Sequence, residues 1–218
     1  MNYSDIRTEE DVAKYFEKFF DPNQVKDNLT LASLYLSAFE VLKPIVIGNI
    51  RSFFAHEFPY KGEWDPEKIR SKEYIAQISK FYPLNEKTGK PKEDEFVACT
   101  GWLADSNVIS ADEAAELVEI RAERNKIAHE LPDLLLDPEK AINSDLLLKL
   151  AMLINKIDKW WLLEVEIPTQ PPDSWNGKDI DEDAVMSGRM MYMNHVFRMV
   201  FHEQFDQEMS PNPRDITD

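Results

Sequence analysis

Apolar residues recur at three- and four-residue spacing along almost the whole chain, and this period most constrains the fold. Such spacing puts apolar side chains on one face of a helix. Only 6 of the 218 residues are glycine, which argues against a β-rich architecture with many tight turns. The sequence therefore predicts an all-α protein, large enough for one solid core or for a core with an extension.

The boundaries of the predicted helices come from proline, glycine and capping residues. Pro44 should kink or split the second helix, and Pro132 should end the fifth near Leu131. Ser110 with Glu113 three residues later is a capping-box signal for that fifth helix. A surface loop is expected at residues 83–92. The predicted helices span residues 8–20, 27–58, 65–81, 93–105, 111–131, 138–165 and 184–208.

The same pattern predicts how the chain is organised. Residues 1–167 are expected to form one helical bundle, and residues 168–183 an acidic, proline-containing linker. Residues 184–218 would be a C-terminal amphipathic helix and tail that pack on the bundle or on a partner chain. The helix is rich in methionine, which is more often a sign of packing than of a recognition groove.

Cysteine content and hydropathy indicate a cytoplasmic protein. A single cysteine, Cys99, excludes an internal disulfide and a cysteine-based zinc cluster, and it fits a reducing compartment. The first residues carry no apolar signal segment, and the apolar stretch at residues 146–167 is interrupted by charged residues. We therefore expect no membrane contact, and neither a metal nor a cofactor is expected.

One cation interrupts an otherwise apolar stripe on the fifth predicted helix, residues 111–131. Leu117, Ile120, Ile127 and Leu131 define the stripe, and Arg124 lies in its middle. A guanidinium on a packing face is costly unless it is paired or opens onto a wet cleft. Arg124 can therefore bind a phosphate bidentately and neutralise charge that develops during in-line attack.

Two further polar residues follow Arg124 on the same helix. Asn125 is adjacent, and His129 lies one turn beyond Asn125. Imidazole both accepts and donates protons near neutral pH, which suits cleavage of a phosphodiester by its own ribose 2′-hydroxyl. Arg124 and His129 are about 140° apart around an ideal helix, so two opposed copies would gather them more easily than one chain.

Spacing alone does not select this pair. An arginine precedes a histidine by five or six residues at three places in the chain: Arg51 and His56, Arg124 and His129, and Arg189 and His195. Only the second pair has an asparagine directly after the arginine. The surrounding sequence must therefore choose among them.

The segment from Trp102 to Ser110, with the helix from Leu117 to His129, resembles the HEPN superfamily. Its members share a short helical bundle and a motif of arginine, a polar residue such as asparagine, and histidine late in a helix. The resemblance implies a HEPN-like bundle and metal-independent endoribonuclease activity, with Arg124, Asn125 and His129 as catalytic residues. It also implies a homodimer with a composite site, an RNA substrate, and a toxin–antitoxin or antiviral (phage) defence role with an antitoxin or regulatory partner.

Charge supports other interpretations. The net charge of −16 repels polyanions at long range, and the motif helix holds six acidic residues against three cations. A non-catalytic HEPN-like dimeric interaction module therefore remains an alternative, as does nucleotide binding without cleavage. The alternative role of Arg124 is an ion pair with a carboxylate on a neighbouring helix, and that of His129 is to cap helix carbonyls.

Overall fold

The fold is all-α. A computed structural model describes residues 9–55, 70–137, 139–171, 180–182 and 184–201. Within these ranges every regular element is helical, and the β-type pairing they contain is an isolated bridge between Leu84 and Pro91. The predicted fold class is therefore confirmed. The bridge closes the predicted loop at residues 83–92, where Gly89 has a φ of +62° that a residue without Cβ adopts freely.

Nine α-helices occur in the described ranges, with two π-helical turns and one 3-10 turn. Five of the helices begin at a side-chain cap, on Asp21, Ser71, Asp94, Ser110 and Asn143. The α-helices are α1 Glu9–Phe20, α2 Pro22–Lys43, α3 Asn49–Phe53, α4 Lys72–Ile78, α5 Glu95–Asp105, α6 Ala111–Leu136, α7 Ser144–Trp160, α8 Ile167–Thr169 and α9 Gly188–Phe201. The π-helical turns are Pro44–Gly48 and Trp161–Glu166, and the 3-10 turn is Ser79–Phe81.

Helices α2, α6 and α7 pack together around the core. Each buries an apolar stripe completely, and the Tyr35 hydroxyl of α2 donates a hydrogen bond to the Ile120 carbonyl of α6 (3.2 Å). The long helix Pro22–Phe53 is apolar enough to cross a membrane by length and composition alone, and half of its apolar window is buried in the protein. Its role in the core accounts for that composition.

Proline positions explain where the predicted boundaries are wrong. The second helix begins at Pro22 rather than residue 27, because Asp21 caps it and proline suits the first turn. The expected break at Pro44 is a π-helical turn that leads directly into α3. Helix α4 starts after Ser71, whose extended backbone separates it from residues 65–69, which lie outside the described residues.

The predicted end of α6 near Leu131 is observed as a break in the helix, but helical structure resumes after it. Glu130 has non-helical torsion angles (φ −120°, ψ 18°), and the helix then resumes to Leu136 with Pro132 in the first turn after the break. The resumed turn is fixed by Lys18 of α1, whose ammonium donates to three backbone carbonyls, of Leu134, Asp137 and Lys140. The next helix begins at Ser144 rather than at Pro138, because Asn143 is its cap.

The C-terminal helix α9 packs on α7. Met190, Met193 and Phe197 are buried, and the amides of Asn155 and Asn194 exchange two hydrogen bonds (3.1 and 3.3 Å). Residues 172–179 and 202–218, which include part of the predicted linker and the end of the predicted helix, lie outside the described residues. The division into bundle, linker and C-terminal segment stays a prediction.

Candidate functional site

Helix α6 positions all three residues of the motif. The capping box at its start is complete: the Ser110 hydroxyl accepts from the Glu113 amide (3.1 Å), and the Glu113 carboxylate accepts from the Ser110 amide (2.6 Å). Leu117, Ile120 and Ile127 are fully buried on one face. Arg124 belongs to that face, and its side chain is 28% exposed.

The Arg124 guanidinium is only partly bonded to the rest of the protein. One nitrogen, Nη2, donates to Glu40 Oε1 of α2 at 2.9 Å, and Nη1 is 3.4 Å from Oδ1 of Asn125. The third nitrogen, Nε, is buried and has no hydrogen-bond partner among the described residues. The guanidinium lies over the Phe39 ring, 5.6 Å from its centroid, which is within cation–π range.

Arg121, one turn earlier on α6, also pairs with a carboxylate and lies over a phenylalanine ring, but both of its terminal nitrogens are hydrogen-bonded. Both of its terminal nitrogens donate to Asp94, at 2.6 and 2.9 Å, and its guanidinium lies 5.2 Å from the centroid of the Phe96 ring. These hydrogen bonds from Arg121 hold the pKa of Asp94 below its usual value. Arg121 is thus fully used by the fold, whereas Arg124 is not.

The two arginines and two phenylalanines form one continuous stack along α6. The Phe39 and Phe96 rings touch each other, with centroids 5.5 Å apart, and each carries one guanidinium. We call Arg121, Phe96, Phe39 and Arg124 the arginine–phenylalanine stack. It fixes the position of the Arg124 guanidinium from the protein side and leaves its other side toward solvent.

His129 lies at the end of the regular part of α6. Its side chain is exposed, it directly precedes the break at Glu130, and it has no hydrogen-bond or ion-pair partner among the described residues. Helix geometry places it about 7.5 Å along the axis and about 140° around it from Arg124. A single chain therefore brings Arg124 and Asn125 together but does not bring His129 to them.

The acidic residues of α6 are largely paired. Lysines of α7 bind two of them, and two others pair with lysines on α6 itself or in the following loop. These pairs reduce the negative potential that the sequence alone suggests around the motif. The pairs are Lys149–Glu116, Lys156–Glu113, Lys126–Glu123 (3.5 Å) and Lys140–Glu130 (3.6 Å).

The other arginine–histidine spacings have different surroundings. Arg51 donates to both carboxylate oxygens of Glu95 (2.8 and 2.7 Å), and the Tyr74 hydroxyl donates to the same carboxylate (2.5 Å). This half-buried cluster joins α3, α4 and α5, so Arg51 is a structural residue; His56 lies outside the described residues. Arg189 and His195 are both exposed on α9.

Glu40 and Phe39, the two residues that α2 contributes to the site, are absent from the predicted set. Nothing in the spacing of α2 marks them, because their role depends on a contact with a residue 84 positions away. In the described part of the chain, no group of three or more histidine, cysteine, aspartate or glutamate side chains is placed to hold a metal ion. Comparisons of the chain with protein-family models, with curated proteins and with solved structures find no match.

Proposed function

We propose that this chain is a metal-independent endoribonuclease of the HEPN type that acts as a homodimer. The observation that carries the proposal is the incomplete bonding of Arg124. A guanidinium on the packing face of α6 has one strong hydrogen bond, one buried nitrogen without a partner, and an aromatic ring beneath it. The terminal nitrogens of this partly exposed guanidinium can donate hydrogen bonds to an anion from solvent.

Each motif residue has a role in this reaction. Arg124 binds the phosphate and neutralises the charge that develops on its oxygens. His129 accepts the proton of the ribose 2′-hydroxyl or donates one to the leaving oxygen. A bond forms between O2′ and phosphorus as the bond from phosphorus to O5′ breaks, which leaves a cyclic phosphate and a 5′-hydroxyl. Asn125, within reach of Arg124, orients the substrate or the histidine.

A second copy of the chain would complete the site. The side chains of Arg124 and His129 leave α6 in directions about 140° apart, so one chain does not hold a phosphate between them. A two-fold axis beside the exposed end of α6 places the His129 of each copy near the Arg124 of the other. RNA then binds in a cleft between two chains, where a few cations act locally against the charge of −16.

In the cytoplasm, a ribonuclease of this kind would be held inactive by another protein. We propose a toxin or antiviral defence role, with a cognate antitoxin or regulatory protein as partner. The resemblance of residues 102–129 to the HEPN superfamily supports this role.

Cleavage of structured RNA by the purified chain in EDTA tests the proposal. We expect the wild type to cut and to leave cyclic phosphate ends, and Arg124→Ala and His129→Ala each to lower the rate by at least about 100-fold. The matched controls are Arg189→Ala and His195→Ala, which change the arginine–histidine pair on α9. The proposed ribonuclease activity is refuted if the wild type leaves the RNA intact or if both motif variants cut it at the wild-type rate.

A non-catalytic dimeric interaction module is the second candidate. It is favoured by the ion pair between Arg124 and Glu40, which already satisfies part of the guanidinium within one chain, and by the net charge. Such a module would dimerise and leave RNA intact in the same assay. Saturable binding of a mononucleotide without cleavage would instead indicate a nucleotide-binding protein.

A further inference from the structure

We infer that Glu40 occupies the phosphate position on Arg124 in the free protein and that an RNA phosphate displaces it. This inference rests on the proposed function, because it concerns the regulation of the same site. It makes Glu40 a competitor of the substrate, not a residue that helps to bind it.

The Arg124–Glu40 pair has the geometry of an exchangeable contact. A single oxygen of Glu40 accepts from Arg124, and the Glu40 side chain is 57% exposed. The carboxylate can therefore rotate into water without breaking any packing contact of the core. By contrast, Asp94 offers both oxygens to Arg121, is 24% exposed, and also accepts from the Val97 amide as the cap of α5. That second pair is held in place from several sides.

Release of Glu40 would leave Arg124 in position. The Phe39 ring under the guanidinium belongs to α2 and packs against Phe96, so it does not depend on the ion pair. A phosphate offers more acceptor oxygens than one carboxylate oxygen and can engage two guanidinium nitrogens at once. The present contact uses one of the two terminal nitrogens strongly.

Simultaneous binding of the Glu40 carboxylate and an RNA phosphate to the Arg124 guanidinium is unfavourable. A phosphate on Arg124 would lie within a few ångströms of the Glu40 carboxylate, and like charges at that distance repel. The chain is already strongly acidic, so the repulsion is not offset by a general positive field. Binding of RNA is therefore coupled to the departure of Glu40, and the coupling lowers the apparent affinity.

The affinity for a 2′-O-methyl RNA oligonucleotide tests this competition. The methyl group blocks the attacking oxygen, so binding is measured without cleavage, by fluorescence anisotropy in EDTA. We expect Glu40→Gln to bind about two- to fivefold more tightly than wild type, since an exposed ion pair of this kind is weak. Glu139→Gln, in an exposed loop, removes one negative charge as well and should leave the affinity unchanged.

The outcomes separate the inference from the function on which it rests. If Glu40→Gln binds equally or less tightly, Glu40 supports Arg124 and the competition is wrong. An equal gain from Glu139→Gln would mean that net charge alone sets the affinity, which also overturns it. If Arg124→Ala binds RNA as well as wild type does, the phosphate site itself is wrong and the proposed function fails with it.

Discussion

Replacing Arg121 and Arg124 separately by methionine measures how much of each guanidinium the fold uses. Methionine replaces the apolar stem of arginine at a similar helix propensity, and it removes the charge and the donors. The two sites match in helix, ring contact and side-chain exposure, 26% for Arg121 and 28% for Arg124. They differ in how completely their donors are satisfied, so the difference between the variants isolates that factor.

The expected losses follow from the contacts of each guanidinium. Arg121→Met removes two charge-assisted hydrogen bonds and a cation–π contact, and it leaves Asp94 half-buried without its partner. Together these changes should cost about 2–3 kcal/mol of unfolding free energy. Arg124→Met loses an exposed ion pair worth about 0.2–1 kcal/mol and a similar cation–π contact, but it also removes a buried donor without a partner, which itself costs about 1 kcal/mol or more. We expect a net change near zero.

Urea unfolding at pH 7, followed by tryptophan fluorescence, gives both free energies by linear extrapolation. The thermal midpoint provides a second measurement, since roughly 2–4 °C corresponds to 1 kcal/mol in a chain of this size. If Arg124→Met costs as much as Arg121→Met, Arg124 is an ordinary structural ion pair. Both proposals for the site would then lose their physical basis.

Three further predictions concern the rest of the fold. Burial opposes the charge of Glu95, but hydrogen bonds from Arg51 and Tyr74 outweigh it and keep the pKa of Glu95 below its ordinary 4.5. The charged carboxylate therefore stabilises the fold above that pH, and this stabilisation is lost as the pH falls further. In urea titrations at acid pH, the difference in unfolding free energy between wild type and Glu95→Gln should shrink, and a constant difference would contradict the prediction. Lys18→Met removes three hydrogen bonds to backbone carbonyls. This change should lower the unfolding free energy by about 2–3 kcal/mol and speed amide hydrogen exchange in α1. Unchanged exchange would show that apolar packing alone holds α1. Burial raises the pKa of Cys99 to about 12, so iodoacetamide at pH 8 should label it only after unfolding, and labelling of the folded chain would disprove the burial.

Local signals predicted the start of the motif helix and the break near Pro132, but not the helical segment that follows the break. The capping box of Ser110 and Glu113 lies within four residues, so the sequence contains all of its chemistry. The effect of Pro132 was expected to be local as well. Lys18 holds the turns after the proline from a distance of 116 residues along the chain, and no local rule includes that contact. Tertiary contacts therefore extended a helix that the local pattern ended.

The candidate site divides in the same way. The apolar stripe of α6 predicted that the Arg124 guanidinium needs either an ion-pair partner or contact with solvent. In the structure it has both, because it pairs with Glu40 and is partly exposed. The identity of that partner depends on how α2 packs on α6. The relation of His129 to Arg124 depends on contacts between chains, which one sequence does not define. The sequence thus indicates which residues need an explanation and leaves their partners open.

The backbone is interrupted on both helices near Arg124. Pro44 lacks the N–H that would bond the carbonyl of Glu40, and Pro132 does the same to the carbonyl of Ala128, next to His129. The π-helical turn after α2 and the break at Glu130 follow from these two prolines. Interruptions of this kind lower the stability of a helix and are frequent at functional sites. Both occur within two turns of the Arg124–Glu40 pair, but in different surroundings: the π-helical residues from Ile45 to Gly48 are buried in the core. The break at Glu130 follows the exposed His129, where water can bond the backbone carbonyl that Pro132 leaves without a partner.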